Sequence, residues 1–273
     1  MARLDLDDAG GGTLYLGPGD ARVATARTRH GERWLATEPL ADEAAADGPE
    51  VATLVSLLEP LVERAREDGA QVVHWETDDP EGVVDAVARA LGLTRRRDIL
   101  HLRRPLPLET DLVTATPQLV LRPFRPGSVD EAAWVRCNNR AFVDHPDQGH
   151  ETVRSLRATM AEPWFDPAGL LLVDGEPGVD DGGHLDGFCW TRVHPAAGGE
   201  VARGEIYVIG IDPGATGRSL GRTLTVAGLD HLAQQDVPVA MLYVESDNEP
   251  ARRLYDRLAF TLHHTRRVRS MPL

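Results

Sequence analysis

The chain has 273 residues, 42% hydrophobic and 26% charged, with a formal net charge of −14 at pH 7, which suits one large or two ordinary soluble domains. The acidic balance argues against a nucleic-acid or anionic-membrane surface, so an anionic ligand must meet local positive charge or backbone donors. Cys137 and Cys189 are too few for a disulfide framework, and no signal-like start or apolar run of about twenty residues is present, so the expectation is a cytoplasmic, membrane-free chain.

Residues 1–12 are acidic and Gly-rich and are expected to be loose. Thr13–Leu16, Arg22–Arg29 and Arg33–Pro39 read as short strands, with turns at residues 17–20 and 30–31. Residues 41–50 form a small acidic linker. Leu54, Leu57, Leu58, Leu61 and Ala65 recur at helical spacing within 51–68. A strand over 71–76, a helix over 80–91 and a strand over 95–103 follow, and Pro105, Pro107 and Pro117 punctuate a linker over 106–117.

The second half opens with a strand over 118–124. Ser128 with Glu131 three residues on predicts a capped helix to Arg140, and 151–160 a second one. Strands are expected over 170–173, 187–193, 205–211, 239–245 and 260–270, and helices over 218–235 and 250–258. Residues 174–186 form an acidic, Gly-rich loop.

Val73-His74-Trp75-Glu76-Thr77-Asp78 echoes Leu242-Tyr243-Val244-Glu245-Ser246-Asp247, and the same offset aligns Leu91-Gly92-Leu93-Thr94 with Leu258-Ala259-Phe260-Thr261. One offset with one element order points to a tandem repeat. The expected division is a degenerate, truncated N-terminal domain over 1–105, a linker over 106–117 and a catalytic domain over 118–273. Where an anion loop belongs, the first half has the acidic stretch 41–50, which would repel a pyrophosphate.

Residues 204–221 carry the most chemistry. Ile206, Tyr207, Val208, Ile209 and Ile211 read as a buried strand, which Asp212-Pro213-Gly214 stops. A small-residue loop then enters a helix whose free N–H groups suit a phosphate or pyrophosphate. Ile211-Asp212-Pro213 followed by Thr216-Gly217-Arg218-Ser219-Leu220-Gly221 resembles the acetyl-CoA loop of the GCN5-related N-acetyltransferases. Thr216 stands where that family has Gln or Arg, and Ser219 where it has the middle glycine. The resemblance implies a mixed-sheet α/β acetyltransferase fold. Its acetyl-CoA contacts would be Ile209, Ile211, Thr216, Gly217, Arg218, Ser219, Leu220, Gly221, Asn248 and Arg252; Asn248 could equally be only a helix N-cap.

Acyl transfer to an amine needs a base for the ammonium proton and an acid for the departing thiolate. Glu205, opening the strand that leads to the loop, is the candidate base. Tyr255, in Asp247-Asn248-Glu249-Pro250-Ala251-Arg252-Arg253-Leu254-Tyr255, stands where the family has its acid; the alternative is a packed aromatic. Cys189, between Phe188 and Trp190, reads as a core residue. Trp134, Trp164 and Trp190 read as core or pocket wall. His145, His150, His194, His263 and His264 have no pair at a zinc helix spacing and no cysteine partner nearby, so no metal is expected.

A closer resemblance lies in Asn139-Arg140-Ala141-Phe142, His145-Pro146-Asp147-Gln148-Gly149, Trp164-Phe165-Asp166-Pro167, the run from Gly187 through Trp190-Thr191-Arg192-Val193-His194-Pro195, and Leu242 to Asn248. Together they are similar to the mycothiol synthase family over residues 118–270. That likeness implies tandem acetyltransferase folds with the C-terminal one active. It also implies acetyl transfer to the cysteinyl amine of a Cys-glucosamine-inositol conjugate, with His145, Gln148, Trp190, Arg192 and Glu245 on the acceptor side. The chain is read as a monomer acting on this small thiol conjugate. The rivals are acetylation of another small amine or peptide N-terminus, and non-catalytic acyl-CoA binding.

Overall fold

Local alternation and helical periodicity place most elements where the residues predict them. A computed structural model describes residues 2–6, 12–16, 23–29, 32–37, 49–78, 82–117, 119–145, 148–176, 183–197 and 199–273, the first three segments by their backbone alone. The expected turns at 17–20 and 30–31, the acidic stretch 41–48, the middle of the acidic loop at 177–182, and Pro146-Asp147 lie outside the described residues. Two compact units are present: Met1–His101 with Val244–Asn248 and Leu262–Leu273, and Leu102–Tyr243 with Glu249–Thr261.

In the first unit, β1 (Ala2–Leu6), β2 (Gly12–Leu16), β3 (Val23–Arg29) and β4 (Glu32–Thr37) pair antiparallel in succession. The expectation of a loose N-terminus is corrected by β1, whose register runs from Ala2 opposite Leu16 to Leu6 opposite Gly12. Its acidic residues had masked an alternation of Ala2, Leu4 and Leu6 with Arg3 and Asp5. Helix α1 (Pro49–Glu67) turns Leu54, Leu57, Leu58, Leu61 and Ala65 onto one core with Val73 and Trp75 of β5 (Val72–Asp78). Val83, Val84, Val87 and Ala88 of α2 (Val83–Leu91) close that core. Gly92 ends α2 at φ 74°, a left-handed cap that a side chain would strain, and leads into β6 (Thr94–Pro105). The sheet order is β1-β2-β3-β4-β5-β12-β6, where β12 (Thr261–Pro272) is the last strand of the chain, antiparallel to β5.

The second unit takes up the chain before the end of β6. The expected linker contains a short helix, α3 (Thr110–Thr114), and Arg104 beside it is buried, donating to Pro105 O at 2.9 Å and Glu109 Oε2 at 2.8 Å. The strand expected over 118–124 reduces to β7 (Arg122–Pro123), where Pro123 lacks the N–H to extend a ladder and Val120 is solvent-exposed. Helix α4 (Asp130–Ala141) has Val129, not the expected Ser128, at its N-cap, and no side chain caps it, although the two capping-pattern residues bond nearby. Ser128 Oγ accepts from Asp130 N at 3.2 Å, and Glu131 reaches back to Gly127 N at 2.7 Å. Helix α5 (Val153–Met160) starts two residues later than expected because Thr152 and Ser155 form its capping box.

Strands β8 (Leu170–Asp174), β9 (Leu185–His194), β10 (Arg203–Ile211) and β11 (Val239–Glu245) follow the predicted positions closely. Their order is β11-β10-β9-β8-β7, with only β10 and β11 parallel. Helix α6 (Leu220–Ala233) covers one face, approaching so closely that a Cβ on Gly228 would lie 2.6 Å from Cys189 Sγ. Helix α7 (Glu249–Arg257) follows β11. On the other face α4 and α5 pack Trp134, Cys137 and Leu156 against Leu170, Leu172, Phe188 and Trp190.

Candidate active site

Strand β10 positions the candidate base. Glu205 is buried and opposes Arg192 of β9 on one side and Met241 of β11 on the other. Pairing of β10 with β11 runs from Arg203–Val239 to Glu205–Met241 and stops there, although β10 continues to Ile211. A bulge at Tyr207 shifts the β9–β10 register between Ile206 and Val208 at the same level. A bulge bends its strand, so β10 turns away from β11 immediately beyond Glu205. The parted edge offers the backbone of 206–211 to an extended ligand.

Glu205 Oε2 lies 2.7 Å from His194 Nε2, and the His194 side chain is 26% exposed. A carboxylate only accepts, so Nε2 carries the proton. Arg203 opposes His194 and Glu205 opposes Arg192, so these four side chains share one face of β9–β10. On that face Arg192 lies 4.6 Å over the Trp164 ring, and Tyr207 packs against Trp164 and Trp190 at 5.0 and 5.6 Å.

Past Ile211 the chain is pinned before it enters α6. Asp212 accepts from Gly214 N at 2.9 Å and from Arg140 Nε at 2.5 Å. Thr216, Gly217, Arg218 and Ser219 are exposed, with Arg218 bonded to the Asp186 carboxylate. Ser219 adopts φ 58° and ψ 19°, the left-handed conformation for which the acetyl-CoA loop pattern supplies glycine. Leu220 is buried and anchors the helix start; a Cβ on Gly221 would press on Ile211 Cδ1 at 3.3 Å. The first-turn N–H groups of α6 have no acceptor within the helix and carry the positive end of its dipole. Relieving the strain by Ser219→Gly is expected to raise unfolding stability by up to about 1 kcal/mol. Calorimetry should then return one acetyl-CoA site per chain, as tight as or tighter than in the parent; marked weakening would show that the loop has been misplaced.

Tyr255 is buried on α7, its ring 5.6 Å from Phe260. Burial first, and the nearby Cys189 thiol second, push its phenol above the usual range, so it holds its proton at any working pH. Burial also pushes the Cys137 and Cys189 thiols up to about 12, which leaves neither as a nucleophile. Cys189 is therefore the core residue that the sequence predicts.

The other candidates are more dispersed. His145 and Gln148 lie in the turn after α4, the His145 ring 5.9 Å from Phe142. Asn139 ties that turn down, donating to Glu151 O at 2.8 Å and accepting from its N–H at 2.9 Å. Gly149, at φ 85°, brings the chain where a Cβ would stand 2.4 Å from Phe142 O. Trp190, expected at the acceptor, lies in the aromatic core at 2% exposure, and Arg192 and Tyr207 are the outward members of that group. Glu245 pairs with Arg97 at 2.8 Å, and Asn248 N donates to Glu245 O; both belong to the first unit. Arg252 is exposed on α7. The contact between Glu205 and His194 was not foreseen. The available signal was two polar residues near the facing ends of consecutive strands.

A strand that bulges and parts from its parallel neighbour beside a buried carboxylate, then a loop into a helix N-terminus, make up the candidate site. Residues 133–260 match the acetyltransferase (GNAT) family, and this part of the chain belongs to it. The mycothiol acetyltransferase of Thermomonospora curvata is 47% identical over 209 residues, covering 76% of this chain and 64% of the relative. That of Acidimicrobium ferrooxidans is 48% identical over 198 residues, covering 71% and 60%. The chain thus spans under two thirds of the length of these curated relatives. Among solved structures, a GCN5-related N-acetyltransferase from Sphaerobacter thermophilus superposes with a TM-score of 0.70 at 20% identity, covering 98% of this chain and 82% of that one. A tandem GNAT protein from the clavulanic acid pathway gives 0.59 at 16% identity, covering 97% and 81%. At those identities the structures show the mixed α/β fold.

Proposed function

We propose that the chain transfers acetyl from acetyl-CoA to the cysteinyl amine of a Cys-glucosamine-inositol conjugate. The observation that carries the reading is the buried Glu205 carboxylate, hydrogen-bonded to His194 at the last paired residue before β10 and β11 part. The Thermomonospora curvata and Acidimicrobium ferrooxidans relatives, both mycothiol acetyltransferases, favour this acceptor. In this reading Glu205 takes the ammonium proton and His194, partly exposed, links it to solvent. The neutral amine nitrogen attacks the thioester carbonyl carbon, forming the C–N bond as the C–S bond breaks. Tyr255 gives its proton to the departing thiolate, the attacking nitrogen sheds its surplus proton, which returns to Tyr255 through solvent, and the products are the amide and CoA thiol. Backbone groups of 209–211 and the first turn of α6, with Thr216, Gly217, Arg218 and Ser219, hold the CoA, aided by Arg252.

The same reading takes the chain as a tandem of two related folds, with domains over 1–105 and 118–273 and only the second active. Support comes from the shared strand-helix-strand order of β5-α2-β6 and β11-α7-β12 and from the likeness to a tandem GNAT fold. His145, Gln148, Trp190 and Arg192 are assigned to the acceptor side, Trp190 as a wall behind Tyr207. A site built to bond many hydroxyls penalises analogues that lack them, because its own polar groups are left unpaired. CoA-thiol release should therefore be far faster with the full conjugate than with free cysteine or a cysteinyl dipeptide, and mass analysis should place the acetyl on the amine. Equal rates for free cysteine would overturn the acceptor and leave the acetyltransferase standing; no thiol release with any amine would overturn both.

A further inference from the structure

Three imidazoles converge in the first unit. His101 comes from β6, and His263 and His264 are consecutive on β12. His264 Nδ1 lies 3.1 Å from His101 Nδ1 and 2.8 Å from His263 Nδ1, and a ligand atom of each falls within 4.8 Å of the others. A ring nitrogen offers either one N–H or one in-plane lone pair. His264 Nδ1 can therefore complete a hydrogen bond with only one of these two neighbours in any tautomer, and its other contact stays mismatched. A shared cation resolves this, because all three nitrogens then present lone pairs to one centre.

The dimensions agree. Nitrogens bound at about 2.0–2.1 Å to a tetrahedral zinc lie roughly 3.3 Å apart, close to the 2.8 and 3.1 Å seen here. Imidazole donors without a thiolate suit zinc and other late first-row divalent ions rather than calcium or magnesium. Behind the cluster, His264 Nε2 is 3.4 Å from Asp78 Oδ1, and Arg266 holds that carboxylate at 2.8 Å. His264 Nε2 makes no hydrogen bond at that distance; with a metal bound, a small ring shift that closes the contact would hold the proton on Nε2 and leave the Nδ1 lone pair for the ion. His101 is buried at 2% exposure while His263 is exposed, which makes a closed floor with an open mouth.

We propose that His101, His263 and His264 bind one divalent transition ion of the zinc type, with a fourth position for water. The ion clasps β6 to β12. The expectation of no metal rested on spacing, and the partners His101 and His264 are 163 positions apart.

The full chain, stripped with a chelator and dialysed, is titrated with zinc sulfate against a chromophoric chelator. One ion per chain should bind, with a rise in melting temperature. Exposed His263→Gln should preserve the circular dichroism spectrum, weaken binding at least ~10-fold and abolish the thermal gain. Asp78→Asn should weaken it by about 10–100-fold. His150→Gln, outside the cluster, should leave the affinity unchanged. Wild-type chain that binds no zinc, or His263→Gln that binds as tightly as the parent, overturns the site.

Discussion

On the proposed mechanism, Glu205→Gln is expected to lower turnover by about 10²–10⁴-fold at neutral pH, the usual cost of removing a positioned base. The substitution keeps the side chain's size and an oxygen that can accept from His194 Nε2, which now stands 2.7 Å from the carboxylate. The fold and acetyl-CoA affinity should therefore survive. What disappears, on the proposed mechanism, is the acceptor for the ammonium proton. The deficit should be largest below the amine's own pKa and shrink as rising pH supplies neutral amine from solution. Rate profiles over pH for both proteins, with single-turnover data to establish that chemistry limits the rate, decide the matter. Parent-like turnover under that condition would remove Glu205 from the mechanism.

On the proposed mechanism, Tyr255→Phe is expected to slow acetyl transfer by about 10²-fold or more while CoA binding stays nearly intact. The ring packs against Phe260 at 5.6 Å in a buried setting, so Phe preserves the packing. Its phenol, pushed up by burial, is protonated across the range in which the enzyme would work. Loss of the hydroxyl should therefore lower the rate by a similar factor at every pH, unlike loss of Glu205. A flat loss with unchanged affinity supports the acid role; a parent-like rate limited by chemistry would leave Tyr255 as a core aromatic.

Much of this site was legible because its signals are local. The alternation over 205–211, the Asp212-Pro213-Gly214 stop and the helical spacing after Leu220 are properties of short segments, and β10 and α6 form where they predict. Glycine replaced by serine in the loop pattern likewise pointed to strain, and Ser219 adopts a positive φ. Segments whose pattern was diluted misled. Acidic residues hid the alternation of β1, and the apolar run at 118–124 forms only the two-residue β7 because Pro123 interrupts it.

The sequence by itself determined the kinds and places of most elements, the buried state of Cys189 and the order strand, loop, helix at the anion site, since backbone preference and apolar period act within a few residues. Tertiary structure alone decided which distant groups meet. The bulge at Tyr207 parts β10 from β11, strand register sets His194 against Glu205, and the pairing of β12 with β5 places the C-terminal residues in the first unit. The convergence of His101 with His263 and His264 belongs to the same class. Such contacts depend on register and on closing long loops, whose cost is repaid only when the whole sheet forms, so no short window of residues contains them.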